Sequence, residues 1–526
     1  MAVIAVSLTL LLGCSDTSHR APVAASNTKA RPSPTSALPS DAPSSPAALA
    51  ENALPGFPGW GISNPGAPHE IEGWAHSTSV RAGESVAISV STTAPSFSVR
   101  VLRMGWYGGA EARLVLTLGP YLGRKQSNPL YTAGTRTYAT DWPTSFVLDT
   151  HGLTPGDYLL RLEASSGAQR FVPLTIRGAS AENAVVLINA VTTWAAYNAW
   201  GGTSLYHGLR GETDFDGRAY AVSFDRPYQE GAGAADFLGN ELPVLALAER
   251  LGLQLQYITD TDLHADPQAL QGARAVVSLG HDEYYSAAMR AHLTQARDTG
   301  TNIAFFGANA IFRRIRLQRS AVGADRIVVC YKRQYPDPQR GVHPSEVTTD
   351  WREPPVSRPE SSLVGTFYEC NPARASMIVS DATSWIWRGI VAQGTALPGV
   401  VGAEYDRVNP GYPTPRGIEV LTHSPVTCRG VRSFSDSAYY TTSAHSGVFS
   451  AGTGSWVAAL SSADSAAGPM TSLTHSAIRK ATTRILEAFS TGPAGREHPS
   501  RSNLASFREF SGDRIASGQA SLRLRQ

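Results

Sequence analysis

Charge is thin in this chain. Asp, Glu, Lys and Arg make up 17% of the 526 residues and nearly cancel, leaving a formal net charge of +2. With no basic stripe, nucleic acid is not an expected partner. Cysteine is scarcer still: Cys14, Cys330, Cys370 and Cys428 are the four. They form no CxxC and no His/Cys zinc spacing, so no cysteine-based zinc site is expected. Long apolar runs are missing as well. Beyond the N-terminus no segment reaches 18 uncharged apolar residues, so no transmembrane helix is expected. What is plentiful is apolar content (42%), with 48 Gly and 34 Pro. That suits folded cores joined by many loops, and the length suggests two to four domains.

The N-terminus carries an address. Residues 11–14 read LLGC, and the run before Cys14 is almost wholly apolar. It is too short to span a bilayer and has the length of a secretory leader. Cleavage before Cys14 and lipidation of its thiol would tether the protein to the outer face of the cytoplasmic membrane, with no other membrane contact. No Lys or Arg precedes the run, which departs from the usual leader. Residues 15–50 are rich in Ser, Pro and Ala and cannot offset their ordering entropy. They are expected to form a disordered linker. In an export compartment disulfides are permitted. With Cys14 lipidated, one pair and one buried thiol is the simplest count; Cys330 with Cys370 is the expected pair, although spacing does not select it.

Residues 51–178 read as a β-sandwich. SVRAGESVAISVSTT and SFSVRVLRMGW alternate with period two, SFVLDTHGLTPGDYLLRLEAS is strand–turn–strand, and VPLTIRG supplies a last strand. Such a module can bind sugar or brace a neighbour; bracing is the default expectation. From about 179 to 490 strands and helices alternate, which implies βαβ units and a parallel sheet. AVVLINAV, LQYITD, ARAVVSLG and NIAFFGAN read as strands. ELPVLALAERLGL and SAAMRAHLTQARDTG read as helices. LPGVVGAEYD and SWVAAL are expected to add strands, and THSAIRKATTRILEAFS a closing helix. Residues 491–526 are expected to form a frayed polar tail.

In open α/β sheets ligands bind beyond the carboxyl ends of the strands. The turns after the expected strands are TTWAAYNAWGGTSLY, HDEYYS, ANAIFRR and EYDR. They bring Tyr197, Tyr206, His281, Glu283, Asn309 and Glu404 toward one edge. His281 and Glu283 are two residues apart and would share a side if the strand continued. They could serve a metal or orient one another; equally, they could cap the helix expected near Ser286. Tyr197 and Tyr206 would face opposite ways on a single helix. They converge only if the chain turns at Trp200-Gly201-Gly202; otherwise they are core tyrosines. The turn where a hydrolase of this topology often carries its nucleophile reads Gly307-Ala308-Asn309-Ala310, which disfavours covalent acyl catalysis. Lys332, in CYKR, either adds positive charge to the cleft or lies on the surface.

As a set, TWAAYNAWGGTSLY, SLGHDEYYS, FFGANAIFRR, VVCYKR and VGAEYDR, with LRMGWYGG in the sandwich, resemble the large (β) subunit family of N,N-dimethylformamidase. The similarity spans roughly residues 55–490. It implies a glutamine-amidotransferase-like α/β core, a flavodoxin-like parallel sheet without the usual cysteine, beside the N-terminal sandwich. It further implies a mononuclear iron (Fe3+) held by two tyrosinates, matching Tyr197 and Tyr206, and by Glu283. The matched catalytic residues are His281, Asn309, Lys332 and, as general base, Glu404. The family's enzyme works with a small partner subunit, which this sequence does not encode; homo-oligomerisation stays open.

Free phenols are neutral at pH 7, and ionise beside a strong Lewis acid that favours hard oxygen. Such an ion would polarise an amide carbonyl and acidify water. The expectation is therefore an iron-dependent hydrolase of non-peptide C–N bonds acting on a small-molecule amide. The competing reading is a non-catalytic lipoprotein that binds cell-envelope glycan or peptide, with WAAYNAW and MGWYGG stacking on sugar. Ester or sugar hydrolysis from the same cleft is a third.

Overall fold

Alternation decides the first half of the chain. In the strand Ser96–Met104 every second residue up to Val101 is buried, as a strand with one face on a core must be. Strands Ile71–Ala75, Ser85–Thr92 and Phe146–Asp149 form a three-stranded sheet. A five-stranded sheet follows the order Ser79–Arg81, Gln169–Arg177, Gly156–Ala164, Ser96–Met104, Ala112–Leu122. Ile88, Val90, Val99, Val101, Leu160, Leu162 and Val172 lie in the core they share.

The computed structural model describes residues 44–211, 214–461 and 468–507. Cys14, its leader and nearly all of the 15–50 stretch lie outside the described residues, as do positions 508–526.

The second half is built on a seven-stranded sheet. Its order is Leu255–Thr259, Val185–Asn189, Ala275–Ser278, Asn302–Phe305, Gly447–Ser450, Val431–Thr441, Glu419–Cys428. The first five strands are parallel and the last two antiparallel. The uninterrupted apolar run Val185–Ile188 follows from burial on both faces. Val185 and Leu187 enter one hydrophobic cluster, and Val186 and Ile188 enter another. Helices Leu242–Arg250, Ala287–Asp298 and Ser472–Thr491 supply covering side chains. The helix Ala287–Asp298 is capped by Ser286, whose Oγ accepts from Met289 N at 3.2 Å, so His281 and Glu283 are not its caps. Among the described residues no helix is long and apolar enough to cross a membrane.

The sandwich and this layer are joined by polar contacts. Ser79 Oγ donates to Asp262 Oδ1 at 2.6 Å, Trp200 Nε1 to Glu72 Oε2 at 2.8 Å, and Arg103 Nη2 to Glu249 Oε1 at 2.8 Å.

Several segments differ from expectation. LPGVVGAEYD belongs to the strand Ala396–Arg407, which pairs antiparallel with Phe367–Ile378 in a two-stranded ribbon. Its apolar run is buried by that ribbon's packing rather than by a central place in the sheet. SWVAAL forms a 3-10 turn, Val457–Leu460, instead of a strand. The fifth parallel strand is Gly447–Ser450, only four residues long. The expected linker ends early: Pro46–Asn52 is a helix, with Ser45 N donating to Gly252 O at 2.7 Å. Residues 491–507 are not frayed. Asn503 pairs with Val420 through both its carbonyl (2.8 Å) and its amide (2.9 Å), as a strand would. The disulfide joins Cys370 to Cys428, and Cys330 is a free, buried thiol. Cys370 and Cys428 sit on adjacent strands with Cα atoms 6.4 Å apart, within disulfide reach. Cys330 follows the strand Ile327–Val329 of a separate four-stranded sheet.

Candidate functional site

The helix Val191–Tyr197 begins just past the strand Val185–Asn189 and ends at its tyrosine. The chain then turns through Gly201 and Gly202, both in the left-handed region (φ 87° and 108°) where side chains are disfavoured. Leu205 N bonds back to Ala196 O at 3.0 Å, which folds the Tyr206 loop onto the helix. The two rings stack with centroids 4.2 Å apart. The turn after Ala275–Ser278 delivers Glu283, whose backbone N–H is held by Thr193 Oγ1 at 3.0 Å. Both phenols donate to the same carboxylate oxygen: Tyr197 Oη to Glu283 Oε2 at 2.9 Å, and Tyr206 Oη at 2.6 Å. Tyr284 Oη donates in turn to Tyr206 Oη at 2.8 Å.

The other carboxylate oxygen, Oε1, takes Arg313 Nε at 3.2 Å, and Arg313 is also paired with Asp350. Lys332 Nζ lies 3.1 Å from the centre of the Tyr206 ring, buried and without a hydrogen-bond partner. It is therefore not a surface lysine; its amine stands against the face of the Tyr206 ring.

Across the cluster, His281 Nε2 is 3.7 Å from Glu283 Oε2 and 3.2 Å from Glu404 Oε2. Glu404 Oε1 accepts from Asn309 Nδ2 at 3.3 Å and from Asn371 Nδ2 at 3.0 Å. Glu404 thus comes from within a strand of the ribbon, and not from a turn at the end of the main sheet. Asn309 sits at φ 59° in the turn after Asn302–Phe305, and its backbone N–H donates to Asp406 Oδ1 at 2.8 Å. The side chain of Glu283 is 1% exposed, while those of His281 and Glu404 are 18% and 15% exposed. Partial exposure therefore flanks the buried carboxylate on both sides, at His281 and Glu404 and at Arg313, which is 19% exposed.

Electrostatics follow from burial and neighbours. Burial, and then the Glu283 charge, push both phenols well above their ordinary range, so they are neutral donors here. Burial alone would raise Glu283, but Arg313, Lys332 and His281 outweigh it and hold the carboxyl low. His281 is the reverse case: burial would lower it, yet Glu404 and Glu283 raise it to about 9. Burial and Arg313 push Lys332 down.

Two phenol oxygens meeting one carboxylate oxygen form a hard, anionic-capable donor set, which fits a ferric ion. Among the described residues no group of three or more His, Cys, Asp or Glu could hold a metal. The structure brings together Tyr197, Tyr206, Glu283, His281, Asn309, Glu404 and Lys332. Sequence reading passed over Arg313 and Tyr284, although both lie inside quoted motifs, and Asn371, which carried no signal. In the aromatic loops Trp194 and Trp200 are buried, the latter with Trp74 and Trp142, and Tyr107 is buried against Arg103, while Trp106 is half-buried.

The fold and the side-chain cluster define an α/β protein packed on a β-sandwich, with oxygen-bearing groups gathered beside the carboxyl ends of parallel strands. The chain belongs to the family described as N,N-dimethylformamidase beta subunit-like, C-terminal, which matches residues 98–469. The match begins inside the sandwich and stops short of the closing helix. No curated protein matches the chain.

Proposed function

We propose that this chain is a metal-dependent hydrolase of non-peptide C–N amide bonds, with Tyr197, Tyr206 and Glu283 as the ligands of one ferric ion. The observation that carries this reading is the meeting of both phenols on a single Glu283 oxygen. A ferric ion held there would polarise the amide carbonyl and acidify water.

The residues around it have complementary parts. Glu404, with Oε1 occupied by two amides and Oε2 facing His281 at 3.2 Å, takes the proton of the attacking water. His281 carries positive charge at neutral pH and steadies the oxyanion that forms when water adds to the carbonyl. The proton on Glu404 then passes to the departing amine as the C–N bond breaks. Asn309 holds Glu404, and Lys332 and Arg313 keep Glu283 anionic. No covalent intermediate is needed, which agrees with Asn309 standing where a nucleophile would.

We read the core as glutamine-amidotransferase-like. Numbered in chain order, its first four parallel strands run 2-1-3-4, as in flavodoxin-type doubly wound sheets. The Cys370–Cys428 disulfide supports an extracytoplasmic address, and lipidation at Cys14 remains part of this reading. The family's description as a beta subunit supports a second chain as partner.

The test is the purified chain's metal content and visible spectrum. About one iron per chain with a tyrosinate-to-iron band, lost in Tyr197→Phe, is the expected result, together with release of amine from small amides. An unchanged band in that variant removes the ligand assignment. Cleavage of esters or glycosides but not amides replaces the substrate class.

A further inference from the structure

The ribbon strand Phe367–Ile378 is irregular where it passes the site. Its register against Ala396–Arg407 jumps between Cys370 and Ala373, so Asn371 and Pro372 have no partner across the ribbon. A bulge of this kind re-aims a side chain, and here it aims Asn371 at Glu404. Arg429 then fixes which way the amide faces. Its Nε donates to Asn371 O at 2.9 Å and its Nη2 to Asn371 Oδ1 at 3.3 Å. With the carbonyl end taken by a cation, the NH2 end is left to donate to Glu404 Oε1 at 3.0 Å. The bulge is anchored by one covalent bond beside this contact. Cys370, next to Asn371, is bonded to Cys428, next to Arg429.

We infer that Asn371 is a positioning residue for Glu404, and that the Cys370–Cys428 bond and Arg429 together form a clamp that makes the site depend on an oxidised disulfide. This rests on the hydrolase reading above for its kinetic consequences. The clamp itself is a matter of geometry. A dithiol reductant would supply two electrons and two protons, breaking the S–S bond to give two thiols and a cyclic disulfide of the reductant. Asn371 would then be free to leave Glu404, and the carboxylate would keep only the Asn309 amide on Oε1.

The decisive experiment is a cycle of Asn371→Ala against reduction by dithiothreitol in the full, iron-loaded chain. Each alone is expected to lower kcat for amide hydrolysis by roughly 10- to 100-fold, the worth of one hydrogen bond to a charged group. KM and iron content should stay the same. The two together should do no more than either alone, because both act through one contact. Arg429→Gln should reproduce part of the loss without touching the sulfurs. Multiplying effects, or full activity after complete reduction, would overturn the clamp.

A second readout needs no turnover. In 15N-asparagine-labelled protein the Asn371 side-chain amide, assigned by its disappearance in Asn371→Asp, should shift in Glu404→Gln and on reduction. A signal indifferent to both overturns the proposal. Absence of any amide hydrolysis by oxidised wild type, with these shifts present, sinks the hydrolase reading and leaves the clamp standing.

Discussion

Tyr197 and Tyr206 stack ring on ring at 4.2 Å and end on the same oxygen of Glu283. Their hydroxyls differ: Tyr206 Oη also accepts from Tyr284 Oη. Tyr197→Phe removes one hydrogen bond to a carboxylate that keeps another, and should cost metal-free protein about 1.5 kcal/mol. Tyr206→Phe removes the equivalent bond and also strands the buried Tyr284 hydroxyl, adding about 1 kcal/mol or more. Chemical denaturation of both variants should rank Tyr206→Phe as the more damaging. Equal losses would mean that Tyr284 finds another acceptor.

Glu283 is the anion that the buried Arg313 faces, with Nε 3.2 Å from Oε1. Glu283→Gln keeps its shape and removes the charge, leaving Arg313 with Asp350. Breaking a buried pair by removing one partner typically costs about 3–5 kcal/mol, and Asp350 should hold the loss to the lower end. A clear fall in melting temperature of the metal-free chain is expected. A stabilised variant would show that the carboxylate is held there at a net cost to the fold.

Burial at the sandwich–core junction gives a pH dependence away from the cleft. Asp157 accepts from Thr175 Oγ1 at 2.9 Å and is buried at the foot of the strand Gly156–Ala164. Burial raises it from its ordinary 3.8 to about 7, against the lowering effect of Thr175, Asn189 and Arg103. A carboxyl raised by folding binds its proton more tightly folded than unfolded. Its contribution to stability is whole below pH 4, falls as pH rises toward 7, and is absent above that. The rise corresponds to at most roughly 4 kcal/mol. Asp157→Asn should therefore be more stable than wild type at pH 8, and the gap should close by pH 4. Parallel stability curves for the two proteins from pH 4 to 8 would refute the raised value.

Much of this architecture is legible from residue patterns alone. The strand Val185–Asn189 announces burial on both faces because nothing polar interrupts it until Asn189, and the turns that follow the parallel strands carry Tyr197, Tyr206, Glu283 and Asn309. Glu404 shows where such reading fails. PGVVGA looks like a sheet strand because apolar runs report burial and not the partner that provides it, and here the partner is the ribbon strand Phe367–Ile378. The four-residue strand Gly447–Ser450 is too short for a period to show. Asn371 acquires its place from a bulge and from Arg429, 58 residues away, and no local pattern encodes that meeting. Tyr197 and Tyr206 were ambiguous by spacing, and the two glycines between them proved to be the turn that joins them.

The turns that carry Glu283 and Asn309 touch at glycine. A Cβ on Gly307 would lie 2.2 Å from the carbonyl oxygen of Gly280, closer than any real contact, and both neighbours are backbone with no rotamer to yield. Gly280 is confined in the same way by Asn240 O, also at 2.2 Å, so it cannot retreat freely. Gly307→Ala should push the two strand-end turns apart, at a cost of about 1–3 kcal/mol. Asn309 would move with one turn and His281 with Glu283 on the other. On the proposed ligand set of Tyr197, Tyr206 and Glu283, all on one side of the gap, iron affinity should fall less than turnover, which on that reading needs both sides. Gly134→Ala, where an added Cβ meets nothing within 4 Å, is the control and should match wild type in both. Equal turnover in Gly307→Ala and Gly134→Ala would show that the spacing of the two turns does not govern the chemistry.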